Sequence, residues 1–179
     1  VGPNASAVVG DRGFAIGGDS IAKTAGHALG HSASAGTGCV SIGDSAGLIA
    51  SVSAVAIGNN AKSNDNSVVI GTNADNSIGS LSVAIGDSSS AANTAVALGQ
   101  ASVATNNCVA VGKGANADGN AVGIGMNAKA TGTDGTAVGF GSEASTNGVA
   151  LGKGARAANY NSVALGVDTA STEPNQVMV

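Results

Sequence analysis

A five-residue unit recurs thirteen times along this chain: a small residue, Val, a small residue, a bulky aliphatic, Gly. Ser82-Val83-Ala84-Ile85-Gly86, Ala95-Val96-Ala97-Leu98-Gly99 and Cys108-Val109-Ala110-Val111-Gly112 are clear copies. The closing glycines read as Gly10, Gly17, Gly30, Gly43, Gly58, Gly71, Gly86, Gly99, Gly112, Gly125, Gly141, Gly152 and Gly166. Their average step is 13 residues, with longer and shorter steps around Gly58, Gly86 and Gly141. Self-similarity at a fixed period of this kind means a stacked repeat, each unit burying what its neighbour leaves open.

Within the unit, alternation of period two predicts a β-strand. Slots two and four then share one face, and slots one, three and five share the other. The bulky slots are read as the interior of the coil. The Ala, Ser and Gly slots form a flat, small outer face. Three and five residues after the closing Gly small residues return, as in Ala115 and Ala117 or Ala128 and Ala130, with Asn116 and Lys129 between them. This predicts a second, shorter strand with Ala inward and polar groups outward. Each period is therefore strand, Gly turn, strand, polar turn: one coil of an all-β solenoid.

Composition supports a thin interior. Gly supplies 29 residues, aromatics 2 % and charged residues 10 %, with no Trp. Mean hydropathy is +0.25, against disorder. Gly does not recur at every third place, which excludes collagen. A net charge of −4 and a pI near 4.8 argue against nucleic-acid binding, which needs a basic face. No stretch approaches the ~20 unbroken apolar residues of a membrane helix. The start at Val1 reads as a cut from a longer protein.

A lone coil of this kind buries too little to hold itself together, and stacking leaves the flat face uncovered. That face is expected to be an interface between identical chains, with Ala56, Ala84, Ala97, Ala110, Ala150 and Ala164 on it. On this reading Ala84→Phe blocks assembly, and Ile85→Asp unfolds the coil by placing a charge in its interior.

The thirteen-fold array over residues 5–171 resembles the head domain of trimeric autotransporter adhesins, the YadA-like head. Residues 173–179, Glu-Pro-Asn-Gln-Val-Met-Val, resemble the opening of the neck that follows such heads. The domain reading is thus head repeats over 1–172, with 1–30 an irregular N-terminal cap, and neck from 173 to 179. The resemblance implies a left-handed parallel β-roll, assembled as a homotrimer. It implies a bacterial cell-surface location, anchored in the outer membrane through a stalk and barrel elsewhere in the parent chain. It also implies attachment to host matrix proteins such as collagen, fibronectin or laminin, to host cells, or to other bacteria. The family's N-S-V-A-I-G motif, linked with collagen binding, maps to Asn66 and Ser67 and to Asn161 and Ser162 with their following residues. Those residues read first as builders of the roll. Longer repeat steps mark insertions at 48–53, 76–81 and 131–136, so Ser80 and Asp134 join the candidate ligand contacts.

Other residues offer less. His27 and His31 lack converging ligands for a metal site and read as a capping substitution and a turn residue, with an axial ion as the alternative. Cys39 and Cys108 take slot one, five coils apart, too far for a disulfide, and replace Ser there. Asp11, Asp19, Asp44 and Asp87 follow turns, where Asp bonds its own backbone. No catalytic set and no cofactor motif stands out. A hexapeptide acyltransferase would show period six, and an ice-binding solenoid a regular Thr array. Three readings stay open: an adhesin head, a spacer rod projecting another domain, and a phage fibre segment.

Overall fold

The computed structural model describes residues 2–7, 12–48 and 51–179. Among them there is no helix; every element is a strand of two or three residues. The chain divides into two compact units, residues 1–93 and 94–179. Each is a parallel β-solenoid with coils of about thirteen residues.

In the first unit the three-residue strands Phe14–Ile16, His27–Leu29, Val40–Ile42, Val55–Ile57, Val68–Ile70 and Val83–Ile85 stack in parallel, slot on slot. In the second, Val96–Leu98, Val109–Val111, Val122–Ile124, Thr136–Val138, Val149–Leu151 and Val163–Leu165 do the same. A shorter sheet forms the opposite wall. It runs unbroken from Val103–Ala104 to Arg156–Ala157 in the second unit. In the first unit it is partly reduced to single bridges such as Lys62 to Asp75. Backbone groups bond from coil to coil, as in Val55 N–H to Ser67 C=O at 2.9 Å, so each coil satisfies the strand edge of the next.

Two expectations about register are corrected. Thr136–Val138 pairs with Val149–Leu151, so Gly139, not Gly141, closes that coil. The steps of 16 and 11 become 14 and 13. The first copy, closed at Gly10, fails differently. Gly10 lies outside the described residues, and Ser6–Ala7 pairs with Ile21–Ala22 in the shorter sheet. The closing position there is Gly2, stacked on Gly17.

The faces are also reversed. Slot three is inside the coil: Ala56, Ala84, Ala97, Ala110, Ala150 and Ala164 are all 0 % exposed within a single chain. Slots two and four point out, with Ile85 39 % and Leu165 48 % exposed. The six alanines are therefore core, and cannot form a chain-to-chain interface. The cause is the separation of the walls. A methyl group at Gly123, in slot three, would lie 3.0 Å from the Asn116 carbonyl oxygen opposite. Small side chains fit across such a gap, Ala, Ser or Cys in most coils, and Val69 and Asn76 are the largest fully enclosed among the described residues. The inward Ala of the shorter strand, Ala115, Ala117, Ala128 and Ala130 among them, are buried as expected.

Polar groups inside are all partnered; none of the described residues leaves a buried side-chain N or O without one. Ser102 donates to Gly99 C=O at 2.8 Å and Ser142 to Gly139 C=O at 3.0 Å. The closing Gly is required twice over. Gly99 has φ +136°, where L-residues are strained, and a Cβ there would come within 2.6 Å of the Gly112 carbonyl group of the next coil.

Candidate functional site

The surface each unit leaves open is the aliphatic face of its three-residue strands. Val and Ile stand there in two parallel rows, half-buried by one another. Exposed apolar surface of this regularity marks an interaction site.

Two turns per coil frame this face. In each, one residue takes the left-handed conformation, as Asn60 (φ 54°) and Asn66 (φ 53°) do. Asn and Asp tolerate this region better than other non-Gly residues. This accounts for the Asn before slot one at Asn66, Asn107, Asn120, Asn147 and Asn161. The Asn of the motif is a turn former, a signal present in the sequence that period counting overlooks. The side chains then bond along the stack. Asn147 Nδ2 donates to Asn161 Oδ1 at 2.9 Å, and Asn161 Nδ2 to Asn175 Oδ1 at 3.1 Å. Such ladders join neighbouring coils at the turn, outside the backbone sheet.

The candidate ligand residues separate into two groups. Ser67 and Ser162 face inward, 1 % and 0 % exposed. The Ser67 hydroxyl donates to Asp65 C=O at 3.0 Å and that of Ser162 to Asn159 C=O at 2.6 Å. Both are removed from the contact set, since slot one points into the coil. Asn66, Asn161, Ser80 and Asp134 lie at the turns, and Asn66, Asn161 and Asp134 are exposed. Asp134 Oδ1 accepts from Asn120 Nδ2 at 3.4 Å, and Ser80 N–H donates to Asn93 Oδ1 at 3.0 Å. These four do not converge on one point; they mark separate coils.

The insertion at 76–81 is fixed by its buried Asn76. Its Oδ1 accepts from Asn64 N–H at 2.9 Å, and its Nδ2 donates to Ser82 Oγ at 2.8 Å. The loop thereby holds Ile78 and Leu81 out, 80 % and 65 % exposed. The insertion at 48–53 lies partly outside the described residues.

His27 and His31 do not meet. His27 packs on the aliphatic face with its ring 6.3 Å from that of Phe14. His31 sits in a turn, with Nδ1 3.4 Å from Asp44 Oδ1 and Nε2 3.7 Å from Asp19 Oδ2. Asp11 lies outside the described residues. Among those described, no group of three or more His, Cys, Asp or Glu is placed to hold a metal ion. Cys39 and Cys108 are buried free thiols, and an inter-chain disulfide is excluded by their inward slot. Each sulfur accepts a backbone N–H of the next coil at 3.3 Å, from Ala54 and Ala121. Ser67 Oγ does the same for Ser82 N–H. On the shorter sheet Glu143 lies between Lys129 and Arg156, 4.0 and 3.0 Å away.

Three comparisons bear on this geometry. A family model described as YadA head domain repeat (2 copies) matches residues 51–74, 119–142 and 144–169. No curated protein matches the chain. Among solved structures, the crystal structure of the collagen-binding domain of the Yersinia adhesin YadA superposes with a TM-score of 0.54. The two are 30 % identical, over 75 % of this chain and 69 % of the Yersinia chain. In the matched stretches, as in the coils between them, small residues line the coil and Val and Ile stand outside it; with 30 % identity over more than two thirds of the Yersinia chain, the chain belongs to the YadA-like head family of trimeric autotransporter adhesins.

Proposed function

We propose that this chain is the head of a bacterial surface adhesin, assembled as a homotrimer through its Val/Ile face and acting by binding, without catalysis. The observation that carries this reading is the outward aliphatic row, coil after coil, on a molecule whose interior is already filled. An interface is what such a row requires, because half-exposed Val and Ile on both units leave apolar area in water at ~25 cal/mol per Å². Homo-oligomers close by symmetry, and three chains around one axis cover three such faces at once.

The target is a host extracellular matrix protein, with collagen first, since the similar Yersinia domain is described as collagen-binding; fibronectin and laminin, host cells and sister bacteria follow. With the aliphatic face occupied, the outer turns remain for the ligand. Asn66, Asn161, Ser80 and Asp134 are the contact residues proposed there. Residues 173–179 are the start of the neck after a head of 1–172. The rest of the parent chain carries the stalk and the outer-membrane anchor that place the head at the cell surface.

Light scattering on the purified chain tests assembly, with three times 16.6 kDa expected. Solid-phase binding to collagen, fibronectin and laminin and to host cells tests the target, with saturable binding to at least one. A trimer that binds none of these, and does not bind bacteria that display the same head, refutes the adhesin reading and leaves a spacer or a phage fibre segment.

A further inference from the structure

On the shorter sheet of the 94–179 unit, one outward position carries Asn116, Lys129, Glu143 and Arg156 in successive coils. Lys129 Nζ and Arg156 Nε lie 4.0 and 3.0 Å from the Glu143 carboxylate, and the three side chains are 57 %, 58 % and 37 % exposed in that order. Beside them runs an open groove of about 250 Å³. Its other side is formed by Thr131, Ser145 and Ala158, which stand two residues further on in the same three coils, with Ala144 between the two rows. That volume is below the range of small-molecule pockets, so the groove suits a strip of a larger ligand. Folding does not call for these charges. Ion pairs this exposed contribute little to stability, and Asn116 and Ala170 hold the same place in neighbouring coils. One carboxylate also serves two cations, and Arg156 reaches it through Nε, one of the five N–H donors of a guanidinium.

We infer that this cation-anion-cation row is a recognition strip for a triple-helical, collagen-type ligand whose chains carry an acid, a base and an acid in that order, the two acids one Gly-X-Y triplet apart. This rests on the matrix-binding reading above and adds to it a sequence preference within the ligand and a contact zone on the shorter sheet. Spacing carries the inference. Lys129 and Arg156 are two coils apart, ~9.6 Å at one strand spacing per coil. Equivalent positions of a polyproline II chain recur every three residues, ~9.3 Å at its rise. Acids at that interval meet Lys129 and Arg156 together, and a Lys or Arg between them reaches Glu143. Outward carbonyls of such a chain accept from the Thr131 and Ser145 hydroxyls. The order of charge disfavours a sulfated polysaccharide, whose unbroken negative charge would face Glu143. The shorter sheet is the wall opposite the Val/Ile face, so assembly through that face leaves the strip open.

The experiment uses the whole 179-residue chain and two labelled triple-helical peptides flanked by Pro-Hyp-Gly triplets. One carries Glu-Lys-Gly-Glu-Hyp-Gly at its centre; the other carries the inverse, Lys-Glu-Gly-Lys-Hyp-Gly. Fluorescence anisotropy at low salt is expected to show the first bound at least ~5-fold more tightly. The chain's net charge of −4 by itself favours the inverse peptide, so this preference reports the local row. Salt at ~0.5 M should narrow it. Lys129→Gln with Arg156→Gln should abolish the preference. Lys129→Glu with Glu143→Lys and Arg156→Glu should reverse it, with circular dichroism that of the parent. Equal affinity for the two peptides, or a parent preference for the inverse, refutes the strip and leaves an adhesin that binds its target elsewhere. A preference that survives the charge swap refutes it too. So does binding of neither peptide by a head that still binds a matrix protein. Failure to bind any matrix protein, host cell or bacterium displaying the same head removes the adhesin reading along with the strip.

Discussion

The inside of the coil and its aliphatic outer face are built from the same three-residue strands, yet they obey opposite rules. Inside, at Ala84 or Ala110, nothing larger than a methyl group is usual and exposure is 0 %. Outside, one residue further along, Ile85 is large and 39 % exposed. In most domains size and burial rise together, because burial is driven by apolar area. Here backbone carbonyls approach closely across the coil, and the gap takes Ala, Ser or Cys in most coils, with Val69 and Asn76 the largest side chains enclosed among the described residues. The stack is held chiefly by its coil-to-coil hydrogen bonds and close small-residue packing, and the large side chains remain available for a partner.

The strongest test of this difference is Ala84→Phe. A ring at an inward slot has no space between the walls, and overpacking of even one or two methylenes costs about 1–3 kcal/mol. A whole ring should exceed that, and the coil should not close. The expected result is loss of the strand signal in circular dichroism and no folded species at any concentration. A folded variant with an unchanged melting point would show that slot three faces outward after all.

Ile85→Asp comes next in effect. The carboxylate is hydrated on a free coil, so strand content should persist. Across a subunit interface it would be buried without a partner, which costs several kcal/mol. Light scattering should therefore report single chains with near-parent circular dichroism. Unfolding by this substitution, with Ala84→Phe harmless, would restore the reversed assignment of faces.

How far the sequence reaches is clear from the same two residues. The thirteen-residue period and both strands per coil were legible, because slot identity is strict and period two is unambiguous. So was the inward Ala of the shorter strand, where polar neighbours such as Lys129 mark the outside. The orientation of the longer strand was not legible. Alternation divides Val83 and Ile85 from Ala84 but does not say which set is inside, and the usual association of bulk with burial misleads when the walls are this close. Ser67 and Ser162 entered the ligand contacts through the resemblance to the N-S-V-A-I-G motif, which does not say that slot one points inward. The Gly141 register failed because Val138-Gly139-Phe140-Gly141 offers two glycines, and only pairing with Val149–Leu151 separates them. The loop residues Ile78 and Leu81 went unremarked because their exposure depends on Asn76 being buried beneath them.

Cys108→Ser should have the smallest effect, and its size probes the interior at its own scale. The thiol occupies slot one, fully buried, donating to Asn106 C=O at 3.4 Å and accepting Ala121 N–H at 3.3 Å. A hydroxyl can make both contacts from the same Cβ, as Ser67 does with Asp65 C=O and Ser82 N–H. The change trades a slightly larger, softer atom for stronger hydrogen bonds, so stability by chemical denaturation should stay within about 1 kcal/mol of the parent. Cys108→Leu at the same place should behave like Ala84→Phe. That pair of substitutions separates chemistry from volume: polarity inside this coil is tolerated wherever a carbonyl or N–H of the adjacent turn can answer it, whereas volume has no such remedy.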